Sequence, residues 1–158
     1  YHNDPTHKCV CTPGQIQRYL NKISGPLLDR IDIQVEITPV PFKDISRTAQ
    51  GESSADIRQR VIKARQIQEQ RFRECRGVHC NAQMSERMIH QYAEPDSAGI
   101  ELLRMAMERL NLSARAYNRI LKVARTIADL DASPDVQAQH LAEAISYRSL
   151  DRGDWAER

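Results

Sequence analysis

Three groups of side chains in this sequence have the types and spacing for chemistry: an arginine in an apolar turn, a cationic stripe on a helix, and a cluster of cysteines and histidines. Arg30 sits in the run Ile23 to Ile33 (ISGPLLDRIDI), with Leu27 and Leu28 before it and an alternating apolar segment after it. Leucines that anchor the turn fix the arginine backbone, and the guanidinium then projects as a planar fork suited to a phosphate or carboxylate on another surface. The competing use is a surface ion pair with Asp29 or Asp32, a contact of small energetic weight. In the second group Ser113 is an N-cap residue that puts Arg115 in the first turn of a helix, where the helix dipole disfavours a cation. Arg119 and Lys122 follow at i+4 and i+7 and extend it into one basic stripe. Converging N–H groups and an arginine at a helix start suit an anion such as a nucleotide phosphate, and a salt bridge to a neighbouring helix is the alternative. In the third group His2, His7, Cys9 and Cys11 are metal-ligand types, but Cys-x-Cys is tighter than the Cys-x-x-Cys of closed zinc sites. His7, Cys9 and Cys11 therefore read as an incomplete candidate site for Zn2+, and Cys75 and Cys80 as loop thiols.

Other chemistries are missing. No Gly-x-x-x-x-Gly-Lys-Ser/Thr phosphate loop occurs, nor a nucleophile elbow or a His-Glu-x-x-His pair, so the stretch by itself is not expected to be catalytic. At 158 residues it suffices for one domain with a core or for two small subdomains. Hydrophobic residues at 41% and charged residues at 28% describe a soluble globular chain. No apolar run approaches the roughly 18 residues a membrane span needs, and nothing resembles a signal peptide. A formal net charge of +2 is too small to argue nucleic-acid binding, which must rest on where the charges sit. Four cysteines without other secretory features point to a reducing, cytoplasmic location. A start on Tyr1, in a polar loop-like stretch, reads as a fragment of a longer protein.

The elements that must position these residues follow from the pattern. Thr12, Pro13 and Gln15 open a helix with a capping box, Ile16, Tyr19, Leu20 and Ile23 give it an apolar stripe, and Gly25-Pro26 read as its end. Ile31, Ile33, Val35 and Ile37 alternate with polar residues, the pattern of a strand over 31–37. Pro39, Pro41 and the polar run 46–53 form a hinge. Beyond it every segment is helical: Ser53 starts a helix to about Phe72 that buries Ile57, Val61, Ala64 and Phe72. Its remaining faces carry Arg58, Arg60, Lys63, Arg65 and Arg71, read as a solvated basic face with phosphate contact as the alternative. Ser85 caps a short helix, and Ile100, Leu103, Met107 and Leu110 form a stripe between Pro95 and Asn111. Helices from Ser113 to about Asp131 and from Pro134 to about Arg148 complete the set, and the tail 151–158 frays. The expected class is mainly α, with one helix and one strand in residues 1–45 and a helical bundle over 54–150.

Four segments resemble one family: Cys9 to Ile33 (CVCTPGQIQRYLNKISGPLLDRIDI), Cys80 to Met84 (CNAQM), Leu112 to Leu130 (LSARAYNRILKVARTIADL) and His140 to Arg148 (HLAEAISYR). They are similar to the C-terminal part of magnesium-chelatase-related AAA+ ATPases of the bacterial ComM (YifB) type. The resemblance implies the end of an AAA+ α/β core in residues 1–45, followed by a helical lid. It implies an ATP- and Mg2+-dependent ring, a homo-hexamer, with Arg30 as an arginine finger acting in trans and Arg115 as the sensor-2 arginine of the lid. Arg119 is a further candidate nucleotide contact. The phosphate loop, the acidic magnesium-binding motif, the sensor-1 asparagine and a Cys-Pro-Cys-Gly motif of that family would all fall before Tyr1. The implied activity is ATP-powered translocation on DNA, such as branch migration during natural transformation, with no membrane partner. Two alternatives stand beside it: a chelatase motor that remodels a metal-inserting partner, and an ATP-independent helical DNA-binding or adaptor module using the basic faces of the 54–72 and 113–131 helices. Because no phosphate-loop element is present, the purified chain is expected to bind no cofactor tightly and to release no phosphate from ATP. Turnover that disappears on Arg115→Ala would contradict this.

Overall fold

The computed structural model describes residues 8–35, 37, 40, 42, 51–110 and 112–148. Among them lie the helices α1 (Pro13–Leu20), α2 (Gly25–Leu28), α3 (Ser54–Arg71), α4 (Glu86–Tyr92), α5 (Ser97–Leu110), α6 (Ala114–Leu130) and α7 (Ala138–Ser146), with a short 3-10 turn at Asn81–Gln83. The mainly α class is as expected. His2, His7, the hinge residues 46–50 and the tail 151–158 lie outside the described residues.

Helix α6 is the centre of the bundle. Ser113 caps it, the hydroxyl accepting from Ala116 N at 3.2 Å. Ala116, Ala124 and Ala128 are wholly buried, and such small side chains let α3, α4, α7 and the 3-10 turn approach its axis. Ile120 and Leu121 fill the spaces between, against Phe72, Met84, Leu103 and Leu141. The Phe72 ring meets Tyr92 edge to face with centroids 5.7 Å apart, fixing the end of α3 on α4. Past the end of α6, Ala132 adopts a left-handed φ of 54° and Ser133 N bonds Ala128 O at 2.8 Å, a helix stop usually given to glycine.

Several elements differ from the sequence expectation, each for a local reason. Gly25-Pro26 do not end the first helix. They open α2, because proline fits a first turn and Ser24 precedes them in extended conformation. No strand occurs among the described residues. In the segment after α2 the burial is inverted: Gln34 is 5% exposed while Ile31, Ile33 and Val35 are 39%, 51% and 61% exposed. Alternation makes a strand only against a sheet, and here Gln34 N instead bonds Tyr147 O at 2.8 Å, at the end of α7. On α5 Leu103 is buried as expected and Met107 and Leu110 are partly so, but Ile100 is half-exposed and Gly99 and Ala106 complete the buried face. A Cβ on Gly99 would stand 2.6 Å from Leu141 Cδ1, so the helix turns its glycine toward α7. Helix α7 starts at Ala138 and not at Pro134, since Val136 pairs with Pro95 in an isolated parallel bridge. Residues 54–63 of α3 are exposed, Ile57 and Val61 included, and only its second half packs on α6. Its Arg71 is not on a solvated face but largely buried against α6, as described below.

No helix among the described residues is long and apolar enough to cross a membrane. The main apolar cluster is drawn entirely from residues between Phe72 and Ile145. A shortened chain beginning at Gly51 is therefore expected to be helical by circular dichroism and to unfold in one cooperative urea transition. A chain that is unfolded in buffer would show that the bundle needs the preceding segment.

Candidate functional site

Arg30 follows the four-residue α2, whose last turn is closed by Asp29 N to Gly25 O and Arg30 N to Leu27 O at 2.9 and 3.0 Å. Its guanidinium folds back and donates to Pro26 O at 2.8 Å, a cation on the C-terminal carbonyls of its own turn. An exposed bond of this kind contributes about 1 kcal/mol and is readily exchanged for a better acceptor. Neither aspartate that the sequence offered as its partner is used that way. Asp29 accepts from the Ser113 hydroxyl at 3.1 Å and lies 3.7 Å from Arg148 Nη2, and Asp32 pairs with Arg119.

These contacts seat the Arg30 turn beside the N-terminus of α6. Between them, Asp32, Ile33 and Val35, Ala82 of the 3-10 turn, α6 and the end of α7 enclose a cleft of about 750 Å³, within the size range of small-molecule sites. The stripe expected from sequence lines one end of it: Arg115, Arg119 and Lys122, with Asn118 among them. Val123, Ile127 and Leu130 line the other end, roughly 22 Å along the helix at 1.5 Å per residue. The three cations are used differently. Lys122 Nζ donates to Ala82 O at 2.9 Å, and Arg119 is held by Asp32. Arg115 is exposed and makes no hydrogen bond or ion pair among the described residues. The structure thus brings Arg30, Arg115 and Arg119 onto one joint.

What fixes α6 is a buried polar network that sequence reasoning missed. Asp129, 1% exposed, receives Arg71 through both oxygens at 2.8 and 2.5 Å, Asn81 Nδ2 at 2.7 Å and Arg125 Nε at 3.1 Å. Arg125 also donates to Ser133 O and Pro134 O at 2.6 and 2.8 Å, using the carbonyls that the left-handed turn aims back at it. Burial by itself would raise the Asp129 carboxyl, but hydrogen bonds from Arg71 and Asn81 and the charges of Arg71 and Arg125 outweigh it and hold it below the usual carboxylate range. Burial lowers the Arg125 guanidinium, and the charge of Asp129 opposes that shift. Arg148 was also missed. It is 1% exposed and donates to Ile31 O at 2.5 Å, tying the end of α7 to the Arg30 turn. The one hint in the sequence was that Asn81, Asp129 and Arg148 fall inside the segments that carry the family resemblance.

Cys9 is half-buried and Cys11 exposed, and a hydrogen bond with Cys9 raises the Cys11 thiol. Two thiols are fewer than the four ligands a closed zinc site needs, and no group of three metal-ligating side chains converges among the described residues.

Known proteins share much of this sequence. Residues 51–148 match the family described as magnesium chelatase, subunit ChlI C-terminal. The chain belongs to this family. Residues 1–45 match the companion family described as magnesium chelatase, subunit ChlI. Over 143 residues the chain is 46% identical to the uncharacterized protein YifB of Escherichia coli strain K12, covering 90% of the chain and 27% of that protein. It is 40% identical over 152 residues to the competence protein ComM of Haemophilus influenzae, covering 96% of the chain and 29% of ComM. It is also 39% identical over 140 residues to the uncharacterized protein Mb2921c of Mycobacterium bovis, covering 89% of the chain and 27% of that protein. The chain thus spans between a quarter and a third of the length of these relatives.

Proposed function

We propose that the chain is the finger-and-lid portion of an AAA+ ring motor that hydrolyses ATP and moves on DNA. In this reading Arg30 reaches ATP held by a neighbouring copy and Arg115 contacts ATP in its own. The observation that carries it is the joint itself: two arginines without a carboxylate partner among the described residues stand on either side of one set of hydrogen bonds. The name of the relative, competence protein ComM, supports competence as the setting. The open apolar side chains of Ile31, Ile33 and Val35 suit burial against the rest of a protein more than three times as long. Mg2+ enters with ATP, a six-membered ring and a cytoplasmic location go with the reading, and zinc at Cys9 and Cys11 needs ligands from elsewhere.

The chemistry asked of Arg30 is electrostatic. As the γ-phosphoryl group transfers, charge spreads over its three equatorial oxygens, and a planar two-pronged donor aimed at them stabilises the transition state more than the bound ground state. Arg115 sits among the free N–H groups of a helix start, an arrangement that holds phosphate in both states. Loss of Arg30 therefore lowers turnover, while loss of Arg115 weakens binding.

The family description itself favours a second reading, a motor that remodels a chelatase partner. Stimulation of ATP turnover by DNA separates the two. In the full-length protein Arg30→Ala is expected to lower turnover about a thousandfold or more with ATP affinity nearly unchanged, and Arg30→Lys to restore little of it. Mixing Arg30→Ala subunits with phosphate-loop mutants should recover activity, because some interfaces then pair a sound loop with a sound finger. Wild-type turnover in Arg30→Ala would contradict the assignment.

A further inference from the structure

Arg30 is flanked by two aspartates, and both are spent on the lid. Asp29 takes the hydroxyl of Ser113, the residue that caps α6, together with the charge of Arg148. Asp32 takes Arg119, four residues beyond Arg115. The backbone between them is pinned as well, with Ile31 O held by Arg148 at 2.5 Å and Gln34 N bonded to Tyr147 O at 2.8 Å. By contrast the guanidinium of Arg30 has one hydrogen bond among the described residues, to a carbonyl of its own turn. Where Arg30 points is thus set less by its own bond than by a backbone that α6 and the end of α7 hold.

We propose that Asp29 and Asp32 are positioning residues that couple the lid to Arg30, so that an anion entering the cleft beside Arg115 resets the turn that presents Arg30. The coupling rests on the reading of Arg30 as a trans-acting group. Its physical basis is the sharing of Arg119 between the anion and Asp32. That guanidinium lines the cleft and pairs with Asp32, and its buried Nε has no hydrogen-bond partner, so donor capacity remains unused. A phosphate drawn in by Arg115 offers Arg119 a more highly charged acceptor than one carboxylate. Arg119 then shifts toward the anion with Asp32 still paired to it, and the turn is drawn along with Asp32 against its attachments at Asp29, Ile31 O and Gln34 N. Arg115 lies between the two latch points on α6, Ser113 and Arg119, so the helix turn that senses the anion is the one that carries the latch.

The test uses full-length protein with Asp32→Arg, Arg119→Asp and the double exchange, reading ATP turnover at saturation and ATP affinity separately. Asp32→Arg places two cations together and is expected to lower turnover about a hundredfold, the size of effect that misplacing a catalytic group from a distance produces, with ATP affinity within about threefold of wild type. The exchange restores the pair with opposite polarity and should return turnover to within about tenfold of wild type. Mixing Asp32→Arg subunits with phosphate-loop mutants should recover activity, which a general loss of structure would not. Asp32→Asn, which keeps an acceptor oxygen and loses the charge, should fall between wild type and Asp32→Arg and covers the case in which the arginine variant fails to fold. Wild-type turnover in both Asp32 variants, an exchange that recovers nothing, or a loss of affinity equal to the loss of turnover would overturn the coupling. If Arg30→Ala is inactive while Asp32→Arg is active, the coupling alone fails. If Arg30→Ala is fully active, the trans-acting reading fails and takes the coupling with it.

Discussion

The carboxylate of Asp129 is surrounded by Arg71 from α3, Asn81 from the 3-10 turn and Arg125 from its own helix, and it carries the one negative charge at the meeting point of two buried or half-buried arginines. A buried ion is expensive to desolvate, and here the expense is met only because every contact is made at once. That makes the arrangement selective for one packing. Sliding α3 along α6 by a single turn would separate Arg71 from Asp129 and leave the Arg71 guanidinium without a counter-charge. The apolar contacts of Phe72, Ile120 and Leu121 are less demanding of register, since hydrophobic burial has no direction.

From that fixed centre the functional side of the molecule follows. With its C-terminal half locked by Asp129 and Arg125, α6 presents Arg115, Arg119 and Lys122 along one cleft at its other end. Two of those cations are restrained by Ala82 O and Asp32, and Arg115 has no partner among the described residues. The turn bearing Arg30 is hung from the same helix and from the end of α7. One helix therefore joins the interior to both arginines that bear on the proposed chemistry.

Helix caps and apolar periodicity were legible in the sequence because they are local. The Thr12–Gln15 capping box and the Ser53, Ser85 and Ser113 caps are all present in the structure. Long-range pairings were not legible. Asp29 and Ser113 are 84 residues apart, Asp32 and Arg119 87, and Arg71 and Asp129 58, and no periodicity reports on such distances. Arg71 looked like one more cation on a basic helix face, and only its position relative to α6 distinguishes it from Arg58 and Arg65. The strand expected at 31–37 misled for a related reason: alternation describes what a segment would do beside a sheet, while the backbone here takes Tyr147 and Arg148 as its partners. The stripe of Arg115, Arg119 and Lys122 was legible as a stripe. That Arg119 is paired and Arg115 is not depends on where Asp32 ends up in space.

The most direct test of this dependence on one carboxylate is urea unfolding of the wild-type chain and Asp129→Asn across pH. Because the folded-state pKa of Asp129 is held below the unfolded value of about 3.9, its stabilisation is fully present above that pH and is lost as pH falls through the folded pKa. At pH 7 Asp129→Asn is expected to lose about 3–5 kcal/mol, since two arginines are left without their counter-charge. The difference between the two proteins should then shrink as the pH is lowered below about 4. Equal stability at pH 7, or a difference that stays constant down to pH 3, would contradict the account.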